Sequence, residues 1–378
     1  AYLILMLGVG LYTWRYMRSL DDFVLAGRRL GPWVSAISER ASGESAWFLL
    51  GLPAAAYTLG FREFWSVIGI ATGILASWTF LAFRLRTQTE RLGALTLPDY
   101  FETRFGDRSR LLRVVSMLSI LVFYLAYVAA QLDGAGEILN ATFGLPSWTG
   151  VLIGAGVVAV YTLMGGFMAV ALTDLIQGLL MALVAVLLPA VGIITLGGFD
   201  GLWATLGAHD PALLTMDAGK TGAAFLFGVA FAGFSWCFGY LGQPHLLTRY
   251  MAIRSAGELP KGQAIAMGWV LISYWGAPMI GLVGLAILGP NLENPQQVMP
   301  LLAIELLPGW LAGIMIAGAT AAMMSTADSQ LLVASATVVE DVYVKLFRPD
   351  TTPARMVLLS RVVTVLLTLI ALVIAHLF

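Results

Sequence analysis

The sequence predicts an all-α polytopic membrane protein, and two observations carry this prediction. Hydrophobic residues make up 59% of the 378 residues and charged residues only 11%, whereas a soluble domain carries about 25% charged residues. The apolar runs are long and continuous, unlike the short alternating segments of a transmembrane β-barrel. This composition excludes a soluble enzyme, a nucleic-acid binder and a disordered chain, and the single cysteine excludes an internal disulfide bond.

Ten segments are apolar enough to cross a bilayer, which takes about 20 mostly apolar residues. The first begins at Ala1 and the last ends at Phe378, each within an apolar run, so we expect a chain that is truncated at both ends. The predicted spans 1 to 10 are residues 1–14, 33–58, 64–83, 114–138, 148–164, 167–196, 222–246, 264–289, 309–334 and 357–378.

The basic residues indicate the orientation of these spans. All 21 lysines and arginines except Arg40, Arg62 and Lys220 fall in or close to four alternate connections, the first of which contains Arg15 and Arg18. Cytoplasmic connections of membrane proteins are enriched in Lys and Arg. We therefore expect a multi-pass protein of the plasma (inner) membrane with its N-terminus outside.

Two spans contain residues that break helices. Span 2 includes Gly43, Gly51 and Pro53, and span 7 includes a Gly-Tyr-Leu-Gly-Gln-Pro run at 239–244. Irregular backbone at membrane depth survives where it lines a polar cavity, and paired broken spans indicate the midplane site of a transporter. Alternatively, these residues only kink packed helices. The Gly69/Gly73 pair and the Gly165-Gly166 pair we assign to close helix packing.

Ionisable residues inside spans are costly and usually functional. Span 9 places Ala322, Ser325, Thr326 and Ser329 on one helical stripe, with Asp328 beside it. Such oxygen atoms suit a hard cation such as sodium, by the logic used for other hard ions; alternatively, the hydroxyls bond back to their own helix. The other ionisable residues inside the predicted spans are Glu39, Arg40, Glu44, Asp133 and Asp174, the last of which could equally cap a helix.

Aromatic residues form a second candidate group. Trp236 and Tyr240 lie four residues apart and so share one face of span 7, and Tyr127 lies in span 4. Aromatic side chains in membrane helices are mostly packing residues or interfacial anchors. Spacing alone therefore leaves a binding role open.

With these motifs the chain resembles the sodium/solute symporter family, in particular its sodium/proline branch. The resemblance implies a leucine-transporter-type inverted-repeat fold in a single transmembrane domain, 1–378. Its parts would be an extra first span and loop (1–32), a first repeat (33–196) and an incomplete second repeat (222–378), with the C-terminal spans missing. The motifs that carry the resemblance lie at 21–23, 27–32, 95–101, 165–167, 173–174, 239–245, 324–326 and 340–341.

The resemblance implies that the protein imports a small amino acid by alternating access, with sodium as the coupling ion. L-proline is the amino acid that it favours. The implied sodium ligands are Ala41, Glu44, Ala322, Ser325 and Thr326, and the implied substrate residues are Ser45, Trp47, Tyr127, Trp236 and Tyr240. A second cation site, for sodium or a shared proton, would use Asp174, Ser325, Asp328 and Ser329. The implied partners are the amino acid, sodium and the lipid bilayer, with no nucleic acid.

One departure from the family pattern concerns the break in span 2. The proline symporters carry an aspartate where this chain has Gly43, and Glu44 follows it. We expect Glu44, held by Arg40 four residues earlier, to supply part of the lost charge.

Other functions remain open at this point. The same fold could carry another small carboxylate or amine, such as pantothenate, choline or a sialic acid, or form the transporter module of a sensor kinase. An enzyme is not expected, because the sequence has neither a His-Glu-x-x-His pair nor a nucleophile elbow.

Overall fold

The computed structural model describes residues 2–14 and 19–377, and almost all of them are helical. In these residues the β contact is a single isolated bridge between Leu30 and Ile253. The predictions made for Ala1, Arg15, Arg18 and Phe378 lie outside the described residues.

The helices are named in chain order. The first half contains α1 (Tyr2–Trp14), α2 (Leu20–Leu25), α3 (Pro32–Gly43), α4 (Leu52–Leu59), α5 (Phe64–Ala76), α6 (Phe83–Leu92), α7 (Leu97–Phe105), α8 (Leu111–Phe143), α9 (Ser147–Thr195) and α10 (Phe199–His209). The second half contains α11 (Gly222–Phe225), α12 (Ala232–Phe234), α13 (Trp236–Tyr240), α14 (Pro244–Ala252), α15 (Leu259–Leu288), α16 (Val298–Leu306), α17 (Gly309–Ala336) and α18 (Pro353–Leu377). Wider π-helical turns extend or join several of them, at Trp47–Gly51, Ser77–Ala82, Leu226–Phe231 and Thr337–Phe347.

In the described part of the chain, seven helical segments are long and apolar enough to cross a membrane. They confirm a helical, multi-pass membrane protein. Two shorter apolar helices, Ile4–Thr13 and Ser147–Val160, accompany them, and the count of ten spans stays a prediction. The seven segments are Trp47–Leu92, Leu111–Phe143, Gly166–Thr195, Gly222–Tyr240, Ala256–Leu288, Gly309–Phe347 and Pro353–Leu377.

A helix break is confirmed in each of the two predicted spans, although in span 2 the helix continues through Gly51 and Pro53. Helix α3 ends at Gly43, and Glu44 has non-helical dihedral angles (φ −101°, ψ 12°) before the helix resumes. In the second half, α13 ends at Tyr240 and α14 begins at Pro244 after an extended Gln243. The two breaks are in contact, since the Tyr240 hydroxyl lies 3.3 Å from the Gly43 carbonyl oxygen.

The glycine pairs have different roles. A Cβ atom at Gly69 or Gly73 would lie 2.6 or 2.5 Å from backbone oxygens of Phe234 and Cys237, so the prediction of close helix packing is confirmed for this pair. For the Gly165-Gly166 pair, close helix packing stays a prediction; Gly166 has φ +52° and forms a kink inside α9, a conformation that favours glycine.

The arginine-rich connections meet at one end of the bundle. Arg28, from the connection after α2, donates to the carbonyl oxygens of Ala94 and Met251, each at 2.8 Å. Arg113, at the start of α8, pairs with Asp341 beyond α17 at 2.5 Å. Connections that are distant in sequence therefore share one side of the molecule, as the alternation of basic loops requires.

Candidate functional site

The oxygen atoms predicted to bind sodium converge where the break after α3 contacts α17. The Ser325 hydroxyl donates to the Ala41 carbonyl (2.9 Å) and also lies 3.1 Å from the Ala322 carbonyl. The Thr326 hydroxyl lies 2.9 Å from the Ser42 carbonyl and 3.2 Å from the same Ala322 oxygen. All five residues are buried.

This donor set fits a small hard cation. It contains only neutral carbonyl and hydroxyl oxygens, the ligand type that hard cations prefer. The break explains why the carbonyls are available, because the helix no longer supplies N–H donors to all of the last carbonyls of α3. The Ser42 carbonyl was not predicted, since its side chain gives no sign that its backbone would turn toward α17.

The Glu44 carboxylate binds Arg40 and Tyr274. One oxygen accepts from Arg40 at 3.2 Å, which confirms the expected i, i+4 pair, and the other accepts from the Tyr274 hydroxyl on α15. Arg40 also binds Glu39, whose carboxylate accepts from the Trp78 indole at 3.1 Å. Two carboxylates thus share one guanidinium in a buried cluster beside the break.

Side-chain oxygens accept hydrogen bonds from two backbone N–H groups at the start of the helix that resumes after Glu44. The Gln131 side-chain oxygen on α8 accepts from the Ala46 backbone N–H at 2.7 Å, and the Ser45 hydroxyl oxygen accepts from the Trp47 N–H at 3.2 Å. Gln131 was not predicted as a site residue. The signal that could have identified it is an amide side chain inside an apolar span.

The predicted substrate residues lie around the two breaks. The Trp47 and Trp236 rings are 4.4 Å apart between centroids and tilted by 31°. The Tyr240 hydroxyl pairs with that of Tyr274 at 2.8 Å. Tyr127 on α8 is partly buried and interacts with Ser45. Trp236 is 41% exposed, so an aromatic face remains accessible beside the break.

Around the predicted second cation site the structure holds an unpredicted positive charge. One Asp174 oxygen accepts from Arg249 at 3.0 Å and from the Ser38 hydroxyl at 2.6 Å. The Ser329 hydroxyl lies 2.5 Å from the Arg249 guanidinium and 3.0 Å from Asp328. The predicted spans put Arg249 in the connection between spans 7 and 8, but it lies on α14 and is fully buried.

Two oxygens at this site carry no hydrogen bond among the described residues. They are Oδ1 of Asp174 and Oε1 of Gln177, one turn apart on α9 and both buried. Such unpaired buried acceptors are rare and call for an explanation, such as an ion or water. Asp174 lies in the interior of α9, so the alternative that it caps a helix was wrong.

The sequence of this chain is similar to those of known transporters. Residues 23–378 match the model of the sodium:solute symporter family. The high-affinity proline transporter PutP of Bacillus subtilis (strain 168) is 38% identical over 374 residues, which cover 98% of this chain and 78% of the relative. The sodium/proline symporter of Escherichia coli (strain K12) is 37% identical over 382 residues, covering 99% and 75%.

Solved structures show the same fold. A Na⁺-coupled sialic acid symporter superposes with a TM-score of 0.86 at 23% identity, covering 100% of this chain and 80% of that one. MhsT in complex with L-phenylalanine gives 0.63 at 17% identity, covering 90% and 79%. These neighbours confirm the expected leucine-transporter-type fold. The oxygen-lined break, the fold and the sequence match agree, and the chain therefore belongs to the sodium:solute symporter family.

Proposed function

We propose that this protein is a sodium-coupled symporter that imports L-proline by alternating access. The observation that carries the proposal is the set of five buried oxygens joining the break after α3 to α17, next to the accessible aromatic faces. The printed names of the relatives, a proline transporter and a sodium/proline symporter, support both the ion and the substrate.

Sodium would take its ligands from the carbonyls of Ala41, Ser42 and Ala322 and the hydroxyls of Ser325 and Thr326. Binding there would tie the broken helix to α17 and order the residues that follow the break. The implied Glu44 ligand would act through its backbone, because its carboxylate is held by Arg40 and Tyr274.

Proline would bind beside this ion. The Trp47, Trp236 and Tyr240 rings offer apolar faces for the pyrrolidine ring and a cation–π surface for its ammonium group. Sodium and backbone N–H groups at the break would attract the carboxylate. Because each ligand orders residues that the other contacts, each raises the affinity for the other, which is the coupling that symport needs.

The second cation site stays part of this proposal in a modified form. Asp174 and Asp328 provide two carboxylates, and Arg249 provides one positive charge. The cluster therefore carries one excess negative charge when both carboxylates are ionised, which one sodium ion or one proton would neutralise. The unpaired oxygens of Asp174 and Gln177 support an occupant at this point. Measured coupling of one sodium per proline without proton movement would contradict it.

The topology is likewise proposed. Ten spans in one transmembrane domain, with the N-terminus outside, would comprise the repeats 33–196 and 222–378 and place the arginine-rich end in the cytoplasm. The contacts of Arg28 and Arg113 across that end support a common side for those connections. Accessibility of single introduced cysteines from either face of the membrane tests this arrangement.

The decisive experiment is radiolabelled proline uptake by the full-length protein in proteoliposomes, with and without an inward sodium gradient. We expect accumulation only with the gradient. Uptake that ignores sodium would contradict symport. If proline is not taken up at all, sodium-dependent binding of pantothenate, choline and sialic acid would identify the cargo, and the full-length gene would show whether a kinase follows.

A further inference from the structure

A cavity adjoins Tyr127, one of the predicted substrate residues. Its volume is about 460 Å³, and its polar lining comes from Tyr124, Tyr127, Gln243, His245 and Gln330. Small-molecule sites span about 300–1,000 Å³. Tyr127, a predicted substrate residue, also lines this cavity, and Phe123 and Tyr124 extend the lining by one helical turn along α8 toward the end that carries Arg113.

Gln330 is the unexplained residue in this cavity. Its side chain is fully buried, and neither its amide oxygen nor its amide nitrogen has a hydrogen-bond partner among the described residues. Leaving a buried polar group unpaired is costly, so most such groups are paired in folded proteins. Gln330 follows the candidate sodium ligand Thr326 by one helical turn. A buried, unpaired amide at the wall of a cavity indicates a polar occupant.

The opposite wall connects the cavity to the candidate sodium site. The His245 Nε2 atom lies 3.1 Å from the Ser42 carbonyl, which can only accept, so Nε2 carries the proton. Nδ1 is then an acceptor and takes the hydrogen bond of the Tyr124 hydroxyl at 2.9 Å. The Ser42 carbonyl also contacts Thr326. Any shift of this carbonyl on sodium binding therefore reaches the Tyr124–His245 pair.

We propose that Gln330 and the Tyr124–His245 pair form a release site, a second binding position that the amino acid occupies on its way to the cytoplasm. The proposal rests on the proposed symport function. The ligand class is a small zwitterion, because an amide can donate to its carboxylate through Nε2 and accept from its ammonium through Oε1. Tyr127 lies at the junction of the two positions and contacts the substrate in both.

The first test compares wild-type protein with Gln330→Met, which keeps the side-chain length and removes both polar atoms. Proline half-saturation is measured from each face of oriented proteoliposomes. We expect the value from the cytoplasmic face to rise about tenfold, the effect of one lost polar contact, and that from the outer face to change less than about twofold. Ser335→Ala is the matched control, because among the described residues that buried hydroxyl bonds only to its own helix, at Leu332.

Equal shifts on both faces, or no shift, would overturn the release site while leaving symport intact. Absence of proline transport by the wild type would instead count against the proposed function.

A second measurement does not depend on the methionine variant folding. In a Cys237→Ser background, Gln330→Cys carries a single thiol of this chain in the cavity. We expect proline with sodium to slow its alkylation by a small maleimide at least about fivefold relative to sodium alone, with no such effect at Ser335→Cys. An alkylation rate that proline leaves unchanged would show that only water fills the cavity and would overturn the proposal.

Discussion

Arg249 and Asp174 form an ion pair in the interior of the helix bundle, with 3.0 Å between guanidinium nitrogen and carboxylate oxygen and neither side chain exposed to solvent. The pair joins α14, directly after the second break, to α9. Ser38, Ser42 and Ser329 surround it and supply further hydrogen bonds. A charge buried this deeply is tolerated because its partner and the hydroxyls replace its hydration.

Removing one member of this pair should be more harmful than removing both. Arg249→Met removes the counter-charge of the Asp174 carboxylate, and Asp174→Asn removes the direct ionic partner of the guanidinium, so we expect each to lower stability by about 3–5 kcal/mol. The double variant should recover a large part of that loss. Thermal unfolding in detergent measures the effect for all three variants, and a double variant less stable than either single one would contradict the pairing.

The hydroxyl groups of α17 should control sodium affinity. Thr326→Val removes one candidate ligand at nearly constant shape, and we expect the half-saturating sodium concentration for proline uptake to rise about 10- to 100-fold, the effect of losing one bond to a charged group. At saturating sodium, proline affinity should return toward the wild-type value.

Thr320→Val is the matched control, because in the described part of the chain the Thr320 hydroxyl bonds only to the Ile316 carbonyl of its own helix. An equal loss of sodium affinity in the control would show that the effect is one of helix stability and not of ion binding.

Glu44 should tune sodium dependence from a distance. Glu44→Gln keeps a hydrogen-bond partner for Tyr274 but removes the negative charge that faces Arg40. We expect a several-fold weaker response to sodium, because the positive charge of Arg40 near the break is then less completely balanced. Uptake measured against sodium concentration checks this, and Tyr274→Phe reports the loss of the Tyr274 hydrogen bonds to Glu44 and Tyr240 while the Glu44 charge is kept. An unchanged sodium response in Glu44→Gln would refute the role.

The buried ion pairs of Arg113, at the arginine-rich end, should stabilise the folded protein more than an exposed ion pair does. Arg113 contacts Asp99 at 2.6 Å, Asp341 at 2.5 Å and Glu102, which ties α7 and α8 to the chain after α17. We expect Asp341→Asn to lower the unfolding temperature clearly, because it weakens the buried hydrogen bonds that this carboxylate accepts from Arg113 and Thr96.

The contrasting variant is Glu258→Gln, which breaks an i, i+4 pair with the exposed Arg254. Exposed pairs contribute about 0–1 kcal/mol, so its unfolding temperature should stay close to that of the wild type. Similar shifts in Asp341→Asn and Glu258→Gln would mean that the buried cluster has no special role.

Local features of the sequence were enough to predict much of this protein. Long apolar runs predicted the helical membrane fold, and Gly and Pro residues predicted both breaks. The spacing of Ala322, Ser325 and Thr326 placed their oxygens on one stripe, and the structure brings that stripe against Ala41. These properties depend on residues within one or two helical turns, so periodicity and composition report them.

Contacts between distant segments were decided by the tertiary structure alone. Arg249 looked like a loop residue, yet it pairs with Asp174 across 75 positions, and Glu44 meets Tyr274 across 230. The Ser42 carbonyl turns toward Thr326 because the helix ends there and α17 packs against the break. Side-chain spacing reports which residues share one helix face but not which other helix that face will meet, and the buried charges found their partners only through that packing.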